Sequence, residues 1–157
     1  MAAFKPVSVV FCDFVSQDHA GKANHLGISQ EELRFPTAPP MLTQMFIVAT
    51  IKPLSKRFKY IVDFDAPDGS RIIRLTASCE TEGDYPPRHS ISTNLQTPAI
   101  PFPGEGEYAV KIRDESLKVV FTQLLHIGIG QPLDIKLNFD GKVEVGEKYA
   151  QMEVVQH

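Results

Sequence analysis

Between Phe58 and Cys79 the chain alternates apolar and polar residues with a period of two, interrupted once by Ala66–Pro67–Asp68–Gly69. Phe58, Tyr60, Val62 and Phe64 share one face before the interruption, and Ile73, Leu75, Ala77 and Cys79 share one after it. A period of two is the mark of a strand with one buried face. Pro67 pre-sets φ and Gly69 accepts positive φ, so the interruption is a turn and the whole segment a β-hairpin. Setting Asp65 opposite Ser70 puts Asp63 opposite Ile72 and Ile61 opposite Arg74, and brings the two apolar rows onto one face.

The rest of the chain reads the same way, and no segment sustains a 3.6-residue period. Val7–Val15 is an apolar run of strand length, followed by a turn about His19–Ala20–Gly21 and a second strand through Ala23–Ile28. Met45–Lys52 is apolar on both faces, as in a central strand covered on both sides. Ser90–Leu95 forms a further strand. Glu107–Arg113 and Leu117–His126 make another hairpin about Asp114–Glu115–Ser116, with Tyr108, Val110 and Ile112 inward. The prolines around Phe35–Pro40 and Pro98–Pro103 exclude a regular helix or central strand, leaving at most one helical turn near Ser29–Leu33. About eight short strands at this spacing predict an all-β fold, an antiparallel β-sandwich of immunoglobulin-like or C2-like character, over residues 1–130.

Residues 131–157 form a separate tail. Leu133, Ile135, Leu137 and Phe139 alternate with polar residues, Asp140–Gly141 is a hairpin turn, and Val143 and Val145 continue the apolar row. A lone hairpin is marginal in water. The tail is therefore expected to close the protein's own sandwich or to pair residues 133–145 with a second copy, giving a homo-oligomer.

Composition narrows the class. A chain of 157 residues with 43% apolar and 22% charged residues is long enough for a real core and too apolar for disorder. A net charge of −3 argues against a nucleic-acid partner, which needs a basic face. The N-terminal apolar run carries Asp13 and lacks a cleavage signature, and the longest apolar stretch is far short of a membrane span. Two cysteines do not make a disulfide framework. A cytoplasmic protein with buried, free thiols and no membrane association is expected.

Two stretches, FCDFV…GKANHLGI followed by FPTAPPM, and GEGEYAVKIRDESL, together resemble an uncharacterised family of small bacterial domains of unknown function. The pattern there is an apolar strand with a Cys-Asp or Ala-Asp pair, a Gly-Lys turn, a Leu-Gly-hydrophobic strand and a final Gly-x-Tyr hairpin. The resemblance covers about residues 7–126 and implies a β-sandwich. It implies no activity, substrate or catalytic residue, and the tail lies outside it.

Candidate sites follow from the polar residues in apolar surroundings. Cys12, Asp13 and His25 fall in the first hairpin, with Asp13 near Leu26 and Cys12 near Gly27 across the turn. His19 in that turn lies on the order of 20 Å from Cys12, too far for a Cys/His dyad. Asp13, flanked by Cys12 and Phe14, is expected to be buried and hydrogen-bonded to loop amides, or else a functional acid in a cleft.

Other polar stretches yield less. Asp63, Asp65 and Asp68 precede Gly69 one residue out of step with a calcium loop and without its closing glutamate, so turn chemistry and a diagonal cross-strand pair of Asp63 with Arg74 account for them. Lys52, Lys56, Arg57 and Lys59 form a small basic run of a kind that is usually solvated. His89 and His126 stand alone, no zinc spacing occurs, and Gly128–Ile129–Gly130 leads to proline rather than to a helix that could cradle phosphate.

No catalytic residues, metal or cofactor are assigned from the sequence. The expected function is a non-enzymatic binding or adaptor module presenting loops or a sheet edge to a protein or small-molecule partner. The alternative is an enzyme with a loop-built site near Cys12 and Asp13.

Overall fold

The computed structural model describes residues 2–17, 23–26, 29–35, 40–42, 44–81, 89–130, 138, 141–142, 144 and 146–149. The first six strands are β1 (Phe4–Cys12), β2 (Phe14–Gln17), β3 (Ala23–Leu26), β4 (Glu32–Phe35), β5 (Met41–Leu42) and β6 (Phe46–Pro53). Then come β7 (Arg57–Asp65), β8 (Arg71–Glu80), β9 (Ile91–Gln96), β10 (Ile100–Pro101), β11 (Gly106–Arg113) and β12 (Val119–Ile129). The fold is all-β. Among the described residues there is no α-helix, only a 3-10 turn at Glu147–Tyr149.

Two sheets pack face to face as a β-sandwich. One has the order β1-β6-β9 and the other β4-β12-β11-β7-β8, with small ribbons β2-β3 and β5-β10 beside them. Phe4, Val9, Phe11, Ile47, Ala49 and Ile51 face the core from the smaller sheet. The larger sheet answers with Tyr60, Val62, Phe64, Tyr108, Val110 and Leu125.

Aromatic rings gather in two places along this core. Phe4 lies 5.4 Å from Phe58 and 5.8 Å from Tyr60. Elsewhere Phe64 and Tyr108 close on Phe102 at 5.8 Å and 5.2 Å, with Phe35 5.8 Å from the same ring. Ring pairs at such separations gain more than their buried area alone contributes.

The hairpin read first from the sequence is β7–β8, and its inward rows coincide as expected. Phe58 lies opposite Cys79, Tyr60 opposite Ala77, Val62 opposite Leu75 and Phe64 opposite Ile73. The register, however, lies two residues from the expected one: Asp63 faces Arg74, not Ile72. Two local features absorb the difference. Gly69 N–H donates to Ala66 O and Ala66 N–H to Ser70 O, a three-residue loop closed by Gly69 at φ 85°. A register shift at Phe64/Asp65 then leaves Asp65 opposite Arg71.

Three further expectations are corrected. The segment beyond Ser29 is strand rather than a helical turn: β4 runs parallel to β12, with Leu33 opposite Ile127, so the sandwich is not wholly antiparallel. Leu33 and Phe35 pack on the core, and burial outweighs any local helical preference. The first hairpin sits one residue along, with Phe14 rather than Asp13 opposite Leu26. Ser29 continues that ladder by exchanging two 2.7 Å bonds with Phe11. The second proline-rich connection contains β10, whose Ile100 pairs with Leu42. The tail residues Leu133, Ile135, Leu137, Phe139, Val143 and Val145 lie outside the described residues.

At the start of β11, Gly106 has φ 148°, and a Cβ there would lie 2.8 Å from Pro67 Cγ. Two residues on, the Tyr108 hydroxyl donates to Gly104 O at 2.6 Å. Gly106→Ala is expected to cost about 1–3 kcal/mol in chemical denaturation, from backbone strain and overpacking against a stiff ring. Gly104→Ala is the control, with nothing within 4 Å of its added Cβ. Equal midpoints for the two variants would refute the close-approach argument.

Candidate functional site

The residues singled out in the first hairpin do not converge. Cys12 ends β1, 1% exposed and opposite Phe46. Burial pushes its thiol pKa up, and the Asp13 carboxylate adds to the shift. Both effects disfavour the thiolate that a nucleophile needs. Asp13 occupies the break between β1 and β2 and is exposed, not buried as its apolar neighbours suggested. The chain bends at that residue, so the alternation that would have turned it inward stops there. His25 lies in β3 opposite Val15, and His19 falls outside the described residues.

The polar centre that the structure does assemble lies on the outer face of the larger sheet. Asp63 points away from the apolar core yet is only 1% exposed. Arg74 on β8 grips it with two bonds, Nε to Oδ1 at 2.6 Å and Nη2 to Oδ2 at 2.8 Å. Arg113 on β11 donates Nε to Oδ2 at 2.7 Å. Lys111 Nζ closes on Asp65 Oδ2 at 2.8 Å. Two carboxylates and three cations thus tie three neighbouring strands together.

Hydrogen bonding from Arg74 holds the Asp63 carboxyl below its usual range, against the opposing effect of burial, with Arg113 assisting. Asp63 is fully engaged and cannot serve as an acid or base without breaking this network. Sequence reading treated Asp63–Arg74 as an ordinary cross-strand pair and missed Arg113 altogether. The usable signal was parity: Asp63, Arg74, Lys111 and Arg113 all fall on the polar sides of their strands.

The network reaches the tip of β11–β12. Arg113 Nη1 donates to Leu117 O at 2.8 Å. This turn repeats the geometry of the other hairpin, with Leu117 N–H bonded to Asp114 O and Asp114 N–H to Lys118 O. Asp114 Oδ1 accepts from Ser116 N, Ser116 Oγ and Lys118 N. Where the first turn has Gly69, this one has Leu117 at φ 68°. A left-handed leucine costs about 1–2 kcal/mol relative to ordinary backbone.

Two of the surface hollows lie beside residues already named. One of about 400 Å³ is lined by Arg57, Phe58, Lys59, Ser78, Cys79, Glu80 and Glu115. Two of its charges pair with each other, Arg57 Nε to Glu80 Oε1 at 3.1 Å. Burial raises the Cys79 thiol. Burial also pushes the neighbouring Tyr60 up to about 12, despite its hydrogen bond with Thr93. The other, about 220 Å³, lies beside Pro67, Pro103 and Tyr108. Among the described residues no group of three or more His, Cys, Asp or Glu side chains could hold a metal ion. Nor is any helix there long and apolar enough to cross a membrane.

Fold and site together define a small all-β domain whose best-ordered polar groups are spent on one another. The chain belongs to a family of unknown function (DUF6941), which it matches over residues 7–122. No curated protein matches it. The matched span runs from β1 into β12 and includes Asp63, Arg74 and Arg113.

Two outcomes test the site. Asp63→Asn should cost about 2–4 kcal/mol, below the full range for breaking a buried pair because both guanidiniums keep some solvent contact. Since the native carboxyl titrates below its unfolded value, its contribution is present above about pH 4 and is lost as pH falls through the native pKa. The variant should therefore show a shallower loss of stability below about pH 4 than wild type; equal slopes would exclude the network. Separately, Cys12 should react with a thiol reagent at pH 7 more slowly than an unfolded cysteine, and a faster reaction would point to an activated thiol.

Proposed function

We propose that the protein is a non-enzymatic binding module that receives a protein partner on the β12 side of its outer sheet face. The observation that carries this reading is the placing of exposed apolar side chains. Among the described residues five large apolar side chains are strongly exposed, and three of them, Leu117, Val119 and Leu124, lie within one eight-residue stretch. Leu117 and Leu124 are each 49% exposed and Val119 is 38% exposed. Scattered exposed apolar residues mean little, but a local run of them marks interaction surfaces.

Leu117 strengthens the reading. Glycine would satisfy its backbone conformation at less cost, and strain kept at an exposed position is commonly kept for function. Arg113 and Asp63 hold the tip in place, and a pre-organised surface loses less entropy on binding.

Protein is favoured over nucleic acid as partner because the net charge is −3. Free Cys12 and Cys79 support a reducing compartment, the cytoplasm of a bacterial cell in this reading. The enzyme alternative at Cys12 and Asp13 draws no support from a buried thiol beside an exposed carboxylate.

Leu117→Gly is expected to leave stability unchanged or raise it by up to about 1 kcal/mol, since relief of strain offsets the entropy of glycine. Combined with Leu124→Ser, it should abolish capture of the partner retained by immobilised wild-type protein in native extract, with the melting temperature preserved. Undiminished capture by the stable double variant would overturn the assignment of this surface.

A further inference from the structure

Among the described residues the longest sheet edge is β8. It runs ten residues, Arg71–Glu80, and among the described residues it has a single neighbour, β7. Natural edges are guarded by proline, lysine, inward charges or shortness. β4 is four residues long, carries Glu32 and Arg34 and is followed by Pro36. β8 has no proline and no lysine, and its inward row, Ile73, Leu75, Ala77 and Cys79, is entirely apolar. Ile73, Leu75 and Cys79 in that row remain only half-buried.

The direction of the free backbone groups follows from one bond. Thr81 N–H donates to Lys56 O at 2.8 Å, so the odd-numbered residues from Thr81 back to Ile73 bond toward β7. Arg74, Thr76, Ser78 and Glu80 therefore turn their N–H and C=O groups to the open edge.

We propose that β8 is the contact between two copies of this chain, which pair antiparallel about a two-fold axis at Ala77 and join their larger sheets into one. In this register Thr76 meets the partner copy's Ser78, and Arg74 meets the partner copy's Glu80, each twice by symmetry. Both members of every such pair present edge-facing backbone groups, so about eight inter-copy backbone bonds form. Inward, Leu75 meets the partner copy's Cys79 and the half-buried apolar row is completed.

The charge pattern selects the register. Moving the axis by one residue either way sets Arg74 against Ser78, or Glu80 against Thr76, and no opposite charges then lie directly across. An isologous contact needs such self-complementarity, whereas an unrelated peptide strand would not call for it. The inference does not depend on the β12 surface being a binding site.

Sedimentation equilibrium of the full chain across a concentration series reads the association, and far-UV circular dichroism on each variant separates dissociation from loss of fold. Wild type should approach twice the 17.5 kDa chain mass, with a midpoint at about micromolar concentration. Thr76→Lys, at an exposed position, should shift the midpoint at least tenfold higher with the spectrum unchanged. Glu80→Lys should weaken association, and more so at low salt. Ser78→Pro removes an edge-facing N–H that β7 does not use and should give monomer. If that variant loses its strand spectrum, Thr76→Lys decides alone.

Wild type that stays monomeric to millimolar concentration overturns the proposal. So does a dimer that persists in Thr76→Lys; its sensitivity to Ile135→Asp would then assign assembly to the tail. Recruitment of a different extended chain to β8 in place of the second copy would also overturn it.

Discussion

A carboxylate with almost no access to water is stable only when charge and hydrogen bonds replace its hydration. Asp63 meets that condition with two guanidiniums, from the strands on either side of its own. Apolar alternation alone leaves strand pairing degenerate in steps of two, because a slide of two residues keeps every side chain on its face. Sliding β8 by two would set Asp63 against Ile72 or Thr76 and leave the charge buried without its bidentate partner. The ion network therefore selects, among registers of equal parity, the one in which Asp63 meets Arg74. Arg113 carries the same constraint to β11 and, through Leu117 O, to the hairpin tip.

This explains how much could be read from the chain. Alternation identified β7, β8 and β11 with the correct inward faces, because burial of one face is a local and repetitive signal, while an unbroken apolar run identified the central β6. Register was not local. The extra residues at Gly69 and at the Phe64/Asp65 shift move it by two, and a period-two pattern is blind to such a move. The same limit hid the site: Asp63 and Arg113 are 50 positions apart and meet only once β11 lies beside β7. β4 was missed for a different reason. Its four residues are too few to show a period, and it is strand only because β12 offers it an edge. Asp13 was misjudged because the alternation around it breaks at a bend that composition does not announce.

The Gly-x-Tyr element that carried part of the family resemblance has a physical basis in this fold. Gly106 admits Pro67 of the neighbouring turn to within a distance that a side chain would forbid. Tyr108 then fills the aromatic cluster and fastens its hydroxyl to Gly104 O, as a tyrosine corner fastens the entry to a sandwich strand. One residue supplies room and the other supplies anchorage. Together they lock the β7–β8 turn against the start of β11, at the same strands that the Asp63 network ties on the outer face.

The disposition of polar groups bears on what such a domain can offer. Among the described residues the buried carboxylate and the carboxylates of the two turns are satisfied internally. Asp63 takes three N–H bonds, Asp68 takes two from Ser70, and Asp114 closes its own turn. Tyr60 is spent on Thr93 of the opposite sheet, whose hydroxyl also donates to Ala49 O on the adjacent strand. Once those are discounted, the described residues present two further features: the exposed apolar side chains between Leu117 and Leu124, and the β8 edge, which has no second strand neighbour among them. Under the readings proposed above, both act by covering surface. The rigidity that the ion network gives the larger sheet benefits them equally, because an edge or a face that is already ordered binds at lower entropic cost.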